Sequence, residues 1–308
     1  MKILVMGSGG VGGLYGGRLA RAGCDVTFVA RGAHLAALRE RGLTIENAAQ
    51  GDIHIPRVKT TEDPGTAGTA DLVLISVKLW DIQAAARAVK PAVGPQTAIL
   101  SLQNGVTKDD VLRHEFGEQA VMGGVGYVAS HVARPGVIHQ KGTIQRMVFG
   151  EYDGRRSARA EALLAAALAG GIQAELSTDI RRAIWEKYVF LVGLSGATAT
   201  IRKAIGVIRE NPRTRAFLLE LMKETVAVGR AHGIALPEDY AMQRLAFADT
   251  VPHDMTSSMH HDLERGNPLE LEWLSGGVVK LGEEAGVPTP ANRAVWDILA
   301  LHARGTKG

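Results

Sequence analysis

The residues in this sequence with the most evident chemical capacity lie at its start. Gly7-Ser8-Gly9-Gly10-Val11-Gly12 follows a short apolar run and precedes helical sequence. In such a turn Gly7 makes the tight bend, Gly9 lets the backbone approach a pyrophosphate, and Gly12 lets the next helix pack closely with its N-terminal amides facing phosphate. Glycine-rich turns are common in a chain with 37 glycines, so the strand before and the helix after carry this reading. Together they predict a nicotinamide dinucleotide site. The next strand, Val26-Thr27-Phe28-Val29-Ala30, ends in Arg31, where an NAD site would carry an acid for the ribose 2′-hydroxyl. Arginine suits a 2′-phosphate, which favours NADP(H).

A second set of residues could handle protons. Lys187 lies in Trp185-Glu186-Lys187-Tyr188-Val189-Phe190-Leu191-Val192-Gly193-Leu194, helical sequence apolar on nearly every other side, and is expected to be buried. A buried ammonium is costly unless it is paired or its pKa falls, and catalysis exploits either condition. In Asn267-Pro268-Leu269-Glu270-Leu271-Glu272-Trp273, the two carboxylates stand two apart at a helix start and cannot share a face. One is free to point into a cleft while the other favours the helix dipole from solvent. Ser76-Val77-Lys78 and Gln103-Asn104-Gly105 each follow a strand, where open parallel sheets bind ligands. Asn104 could reach the nicotinamide side, although Asn-Gly alone is a turn dipeptide.

These residues need elements to position them. Short β-branched runs alternate with alanine-rich stretches in the first half, the pattern of βαβ units feeding a parallel sheet. Strands are expected over 2–6, 25–30, 72–77, 98–102 and 121–128, each nearly continuous apolar sequence, as when helices cover both faces. From 137 to 150 the texture turns to short alternating segments, an antiparallel extension. A helix over 157–169 and a strand over 172–176 would close this half. Beyond Ser177 helical periodicity takes over, with helices expected over 179–200, 212–232, 237–248, 254–265, 268–285 and 290–302. Four of these open on proline. The expectation is an α/β Rossmann-type domain over 1–177 and an all-α domain over 178–308.

Composition narrows the function classes. A formal charge of +3 with basic residues dispersed among acids argues against nucleic acid as a partner. No apolar stretch approaches membrane-spanning length without charge. One cysteine, Cys24, excludes an internal disulfide and suits a reducing cytoplasm; it reads as a packing residue. His253, Asp254, His260, His261 and Asp262 have spacings that match no zinc pattern, so no metal is expected.

Taken in order and spacing, these marks resemble the ketopantoate reductase (2-dehydropantoate 2-reductase) family over essentially the whole chain. The matching positions are Gly7, Gly9 and Gly12, Arg31, Ser76-Val77-Lys78, Gln103-Asn104-Gly105, and Pro135-Gly136-Val137-Ile138-His139 leading to Phe149-Gly150-Glu151. They continue with Trp185-x-Lys187, Ser257-Ser258-Met259, and Asp262-Leu263-Glu264-Arg265-Gly266-Asn267-Pro268-Leu269-Glu270. The resemblance implies a Rossmann domain followed by a helical domain like that of 6-phosphogluconate dehydrogenase. It also implies reduction of a 2-oxo acid by NADPH, in the manner of pantothenate biosynthesis. Lys187 corresponds to the general acid, Glu270 to the active-site carboxylate, Asn104 to the asparagine beside the nicotinamide, Arg31 and Lys78 to NADP contacts, and Ser258 to a substrate contact. A homodimer is left open. The family's asparagines four and eight residues after the lysine are here Leu191 and Ser195, and a further asparagine is Ser275. Positions 191 and 195 repeat along the face of Lys187, so the substrate lining has become less polar. An opine-type dehydrogenase acting on an imine and a non-catalytic NADP-sensing protein stand as alternatives.

Overall fold

The computed structural model describes residues 1–306 and divides into two compact units, Met1–Gln103 with Lys108–Ile180, and Asn104–Thr107 with Arg181 onward. The short segment after Gln103, which sequence alone assigns to the first half, groups with the helical unit.

In the first unit the strands are β1 (Lys2–Met6), β2 (Asp25–Val29), β3 (Leu43–Glu46), β4 (Ile53–Ile55), β5 (Lys59–Thr61), β6 (Ala70–Ile75), β7 (Val93–Ser101), β8 (Val121–Arg134), β9 (Val137–Gly150) and β10 (Gln173–Leu176). Helices α1 (Gly10–Arg21), α2 (Gly32–Arg41), α3 (Ile82–Val89), α4 (Lys108–Phe116) and α5 (Ala158–Ala169) connect them. The sheet runs β4-β3-β9-β8-β7-β6-β1-β2-β5, with β10 on β9. From β5 to β8 every pairing is parallel, and the chain reverses direction of winding between β1 and β6. Both faces are buried: Ile3, Val5, Leu72 and Leu74 pack toward one core, and Leu4, Met6, Val73 and Ile75 toward another. This explains why the central strands read as continuous apolar runs rather than alternating ones.

Three short strands, β3, β4 and β5, escaped the sequence reading because each has only three or four residues and little periodicity to detect. The antiparallel extension is a long hairpin in which β8 reaches Arg134, well past the expected end, and pairs with β9.

The second unit is helical: α6 (Ile180–Ile201), α7 (Ile205–Glu210), α8 (Pro212–Ala231), α9 (Tyr240–Thr250), α10 (Ser258–Glu264), α11 (Ser275–Ala285) and α12 (Pro290–Leu299). Proline opens α8 and α12, and Asn211 caps α8 by accepting from the Arg213 and Thr214 amides at 3.0 and 3.3 Å. Pro237 and Pro268 lie outside helices. The expected helix from Pro268 is a single 3₁₀ turn, Glu270–Glu272, followed by α11. Tyr188 on α6 donates to the carbonyls of Trp273 and Leu274 at 2.9 and 2.7 Å, holding the stretch between that turn and α11 against the long helix. Burial pushes the Tyr188 phenol well above its usual range, so it remains a donor.

Candidate active site

The glycine loop joins β1 to α1 where the winding direction changes, the place at which open α/β sheets take ligands. Gly7 has φ +95°, and a Cβ there would meet the Val77 amide nitrogen at 2.8 Å. The carbonyls of Gly7, Ser8 and Gly9 are each engaged within the unit. Ser76 Oγ donates to Gly7 O at 2.9 Å, His34 Nε2 lies 3.0 Å from Ser8 O, and the Gly13 amide donates to Gly9 O at 2.7 Å. Ser8 is buried, its hydroxyl donating to Val29 O at 2.9 Å, which makes it a tether to β2. Gly9, by contrast, has an ordinary φ of −73° and nothing within 4 Å of where its Cβ would stand. Neither strain nor internal packing asks for glycine there. Close approach of something outside the chain does, and α1 has no side-chain cap and no acid in its first turn to compete for an anion. The loop therefore fits a dinucleotide's diphosphate.

Arg31 stands exposed at the carboxyl end of β2, as the residue before α2. Gln103 donates from Nε2 to Val77 O at 2.8 Å and accepts from Ser101 Oγ at 2.9 Å, so it braces the Ser76–Lys78 loop from β7. Lys78 is half-buried, with Nζ 5.5 Å from the centre of the Trp80 ring.

In the helical unit, Lys187 Nζ donates to Asn104 Oδ1 at 3.0 Å, and Asn104 Nδ2 donates to Glu270 Oε2 at 3.2 Å. An ammonium can only donate and a carboxylate can only accept, so the asparagine amide is fixed in one orientation between them. Glu270 is only 6% exposed, whereas Glu272 is half-buried, pairs with Lys280, and accepts from Trp296 Nε1 at 3.1 Å. The two carboxylates thus point apart, and the inner one belongs to the lysine chain. Lys187 itself is half-buried, less enclosed than its apolar helix suggests.

One turn beyond Lys187, Leu191 is half-buried and packs on the helical core. Ser195, two turns on, is fully buried with its hydroxyl unpartnered, as is Ser275. Ser258 is exposed at the start of α10, while Ser257 caps that helix through the His260 amide at 3.0 Å. Among the described residues no cluster of three or more His, Cys, Asp or Glu could hold a metal. His253 pairs with Glu210, and His260 with the Thr198 carbonyl and Glu264. Cys24 is half-buried, and burial raises its thiol pKa. Sequence reasoning passed over His34 altogether: a lone histidine on a helix gives no signal of what its ring will meet.

A parallel sheet with a glycine loop at its switch point, followed by a helical unit carrying a lysine–amide–carboxylate chain, defines a pyridine-nucleotide oxidoreductase. The family model described as "Ketopantoate reductase PanE/ApbA" matches residues 3–154, and that of its C-terminal part matches 179–303. The chain belongs to the ketopantoate reductase family. A 2-dehydropantoate 2-reductase of Halobacterium salinarum is 31% identical over 309 residues, covering 99% of both chains. An uncharacterised oxidoreductase of Bacillus subtilis, YkpB, is also 31% identical, over 98% of this chain and 99% of its own. The crystal structure of a PanE/ApbA family ketopantoate reductase from Ralstonia eutropha superposes with a TM-score of 0.89 at 36% identity, over 98% of each chain.

Proposed function

We propose that this enzyme reduces a 2-oxo acid to the 2-hydroxy acid with NADPH, with Lys187 as the general acid. The observation that carries this reading is the Lys187–Asn104–Glu270 chain, with its contacts of 3.0 and 3.2 Å. When bound, NADPH supplies a hydride to the substrate carbonyl carbon. Negative charge then grows on the carbonyl oxygen, and a protonated Lys187 both stabilises it and delivers the proton. Asn104 holds the ammonium by its carbonyl, and Glu270, buried and accepting from the same amide, keeps that amide from rotating. The ammonium is thereby aimed before the reaction begins, with no reorganisation left for the chemical step. Ser258, exposed at the start of α10, is our candidate for a substrate contact.

Arg31, exposed at the end of the second strand, supports NADP(H) over NAD(H), since a guanidinium can pair bidentately with a 2′-phosphate. Lys78 adds positive charge on the loop after β6. Leu191 supports a substrate whose side chain is more apolar than that of ketopantoate. Steady-state oxidation of NADPH and NADH across a panel of 2-oxo acids, with and without added amino acids, tests the whole reading. The expected result is NADPH-dependent turnover without an amine, with an optimum for an apolar side chain. A clear optimum for ketopantoate removes the altered specificity, an amine requirement favours imine reduction, and no turnover with any acid overturns the reductase assignment.

A further inference from the structure

The direction of each amide in the glycine loop depends on what holds the carbonyl of the residue before it. A trans peptide is planar, with C=O and N–H pointing opposite ways, so whatever holds a carbonyl aims the next amide. For Gly7–Ser8 the holder is Ser76 Oγ, and the Ser8 amide points to Val29 O at 3.3 Å. For Ser8–Gly9 the holder is His34, on the first turns of α2.

The His34 ring is engaged on both sides. The Gly136 amide donates to Nδ1 at 3.2 Å, from the turn between β8 and β9, and Nε2 stands 3.0 Å from Ser8 O. An amide N–H needs a lone pair on Nδ1, and a carbonyl needs a proton on Nε2, so the two neighbours select one neutral tautomer. Burial lowers the His34 pKa and favours that neutral ring, against the opposite pull of the Ser8 carbonyl. Gly136 is itself anchored, its carbonyl accepting from the Thr44 amide at 3.0 Å. The ring is therefore a strut between a fixed hairpin turn and the loop.

We infer that His34 is a cofactor-positioning residue: by donating from Nε2 to the Ser8 carbonyl, it turns the Gly9 N–H outward to receive the dinucleotide's diphosphate. This rests on reading the glycine loop as the diphosphate site. It gives His34 no contact with substrate and no proton to transfer. Its loss should weaken NADPH binding and leave the chemical step alone.

Two amides separate the contacts of the ring, because asparagine places its polar atoms near Nδ1 and glutamine near Nε2. The experiment measures KM and Kd for NADPH, KM for the 2-oxo acid, kcat and Tm for the wild type, His34→Ala, His34→Asn and His34→Gln. Losing one hydrogen bond that orients a charge-binding amide is expected to raise the NADPH KM and Kd about tenfold in the Ala and Asn variants, with kcat within about twofold. The Gln variant, which can still donate to Ser8 O, is expected to return to within about threefold of wild type. Equal NADPH affinity in all four proteins overturns the inference. So does rescue by Asn rather than Gln, which would make the hairpin contact the important one, and so does a Gln variant that binds poorly or does not fold. A wild-type protein that binds no dinucleotide refutes the reading of the loop instead, before any variant is compared.

Discussion

In the glycine loop the groups proposed to receive the cofactor belong to the backbone, whereas in the Lys187 chain every group is a side chain carried by a different segment. The loop is held from outside by Ser76, His34 and the Gly13 amide, each fastening one carbonyl. The lysine chain holds itself: Asn104 from the Asn-Gly turn, Lys187 from the middle of α6 and Glu270 from a 3₁₀ turn meet through one amide. A backbone site tolerates many side-chain changes but no stray Cβ. A side-chain site tolerates bulk at its edges but no loss of a functional group.

The sharpest break of this comparison is Lys187→Met, which keeps length and removes the ammonium. We expect kcat to fall by about 10³, within the 10²–10⁴ typical of general acid–base groups, with NADPH affinity unchanged by fluorescence titration. A kcat within tenfold of wild type would remove Lys187 from the proton step. Next comes Asn104→Ala, expected to cost about 10² in kcat because the ammonium loses its holder and buried Glu270 loses a donor; an unchanged kcat would leave Asn104 a turn residue only.

Two glycines sharpen the other side. Gly9→Ala meets nothing in the protein, so its Tm should match wild type while the NADPH Kd rises about tenfold or more. Gly12→Ala drives a Cβ into the Gly7 carbonyl and the Ser76 hydroxyl, and should lower both Tm and affinity. Equal behaviour of the two would mean that Gly9 is structural. Arg31→Gln should then raise the NADPH KM about tenfold and leave that for NADH nearly unaltered; parallel changes in both would end its role in cofactor choice.

Glu151 gives the smallest and purely structural contrast. Buried at 4% exposure, it accepts from Ser157 Oγ at 2.5 Å and from Arg159 Nε and Nη2, both at 2.8 Å. Burial works against its ionisation, but the Arg159 and Ser157 hydrogen bonds outweigh this and hold its pKa below the ordinary carboxylate value. Its folded pKa being depressed, the stabilisation is complete above the unfolded value of about 4.3 and is lost as pH falls through the folded value. Glu151→Gln should cost about 2 kcal/mol at neutral pH by denaturant unfolding, shrinking toward zero in acid, with kcat unaltered.

Much of the fold is legible in the sequence. The glycine loop, the strand before it and the helix after it are contiguous, and local sequence governs turn conformation and helix start directly. The helical second half declared itself by periodicity. The short strands β3 to β5 were not legible, since three or four residues carry too little pattern and owe their pairing to neighbours far along the chain.

What sequence determined by itself was the glycine loop and the identity of the polar residues in the helical unit. Tertiary structure alone decided which of those residues meet. Glu270 rather than Glu272 meets the Asn104 amide because the turn that carries them sends one side chain inward. Ser195 is enclosed although it repeats the face of Lys187, and His34 reaches a carbonyl 26 residues earlier. Such meetings depend on how elements pack. Residue type sets what a group can donate or accept, but its partner is fixed by distances that no local pattern encodes.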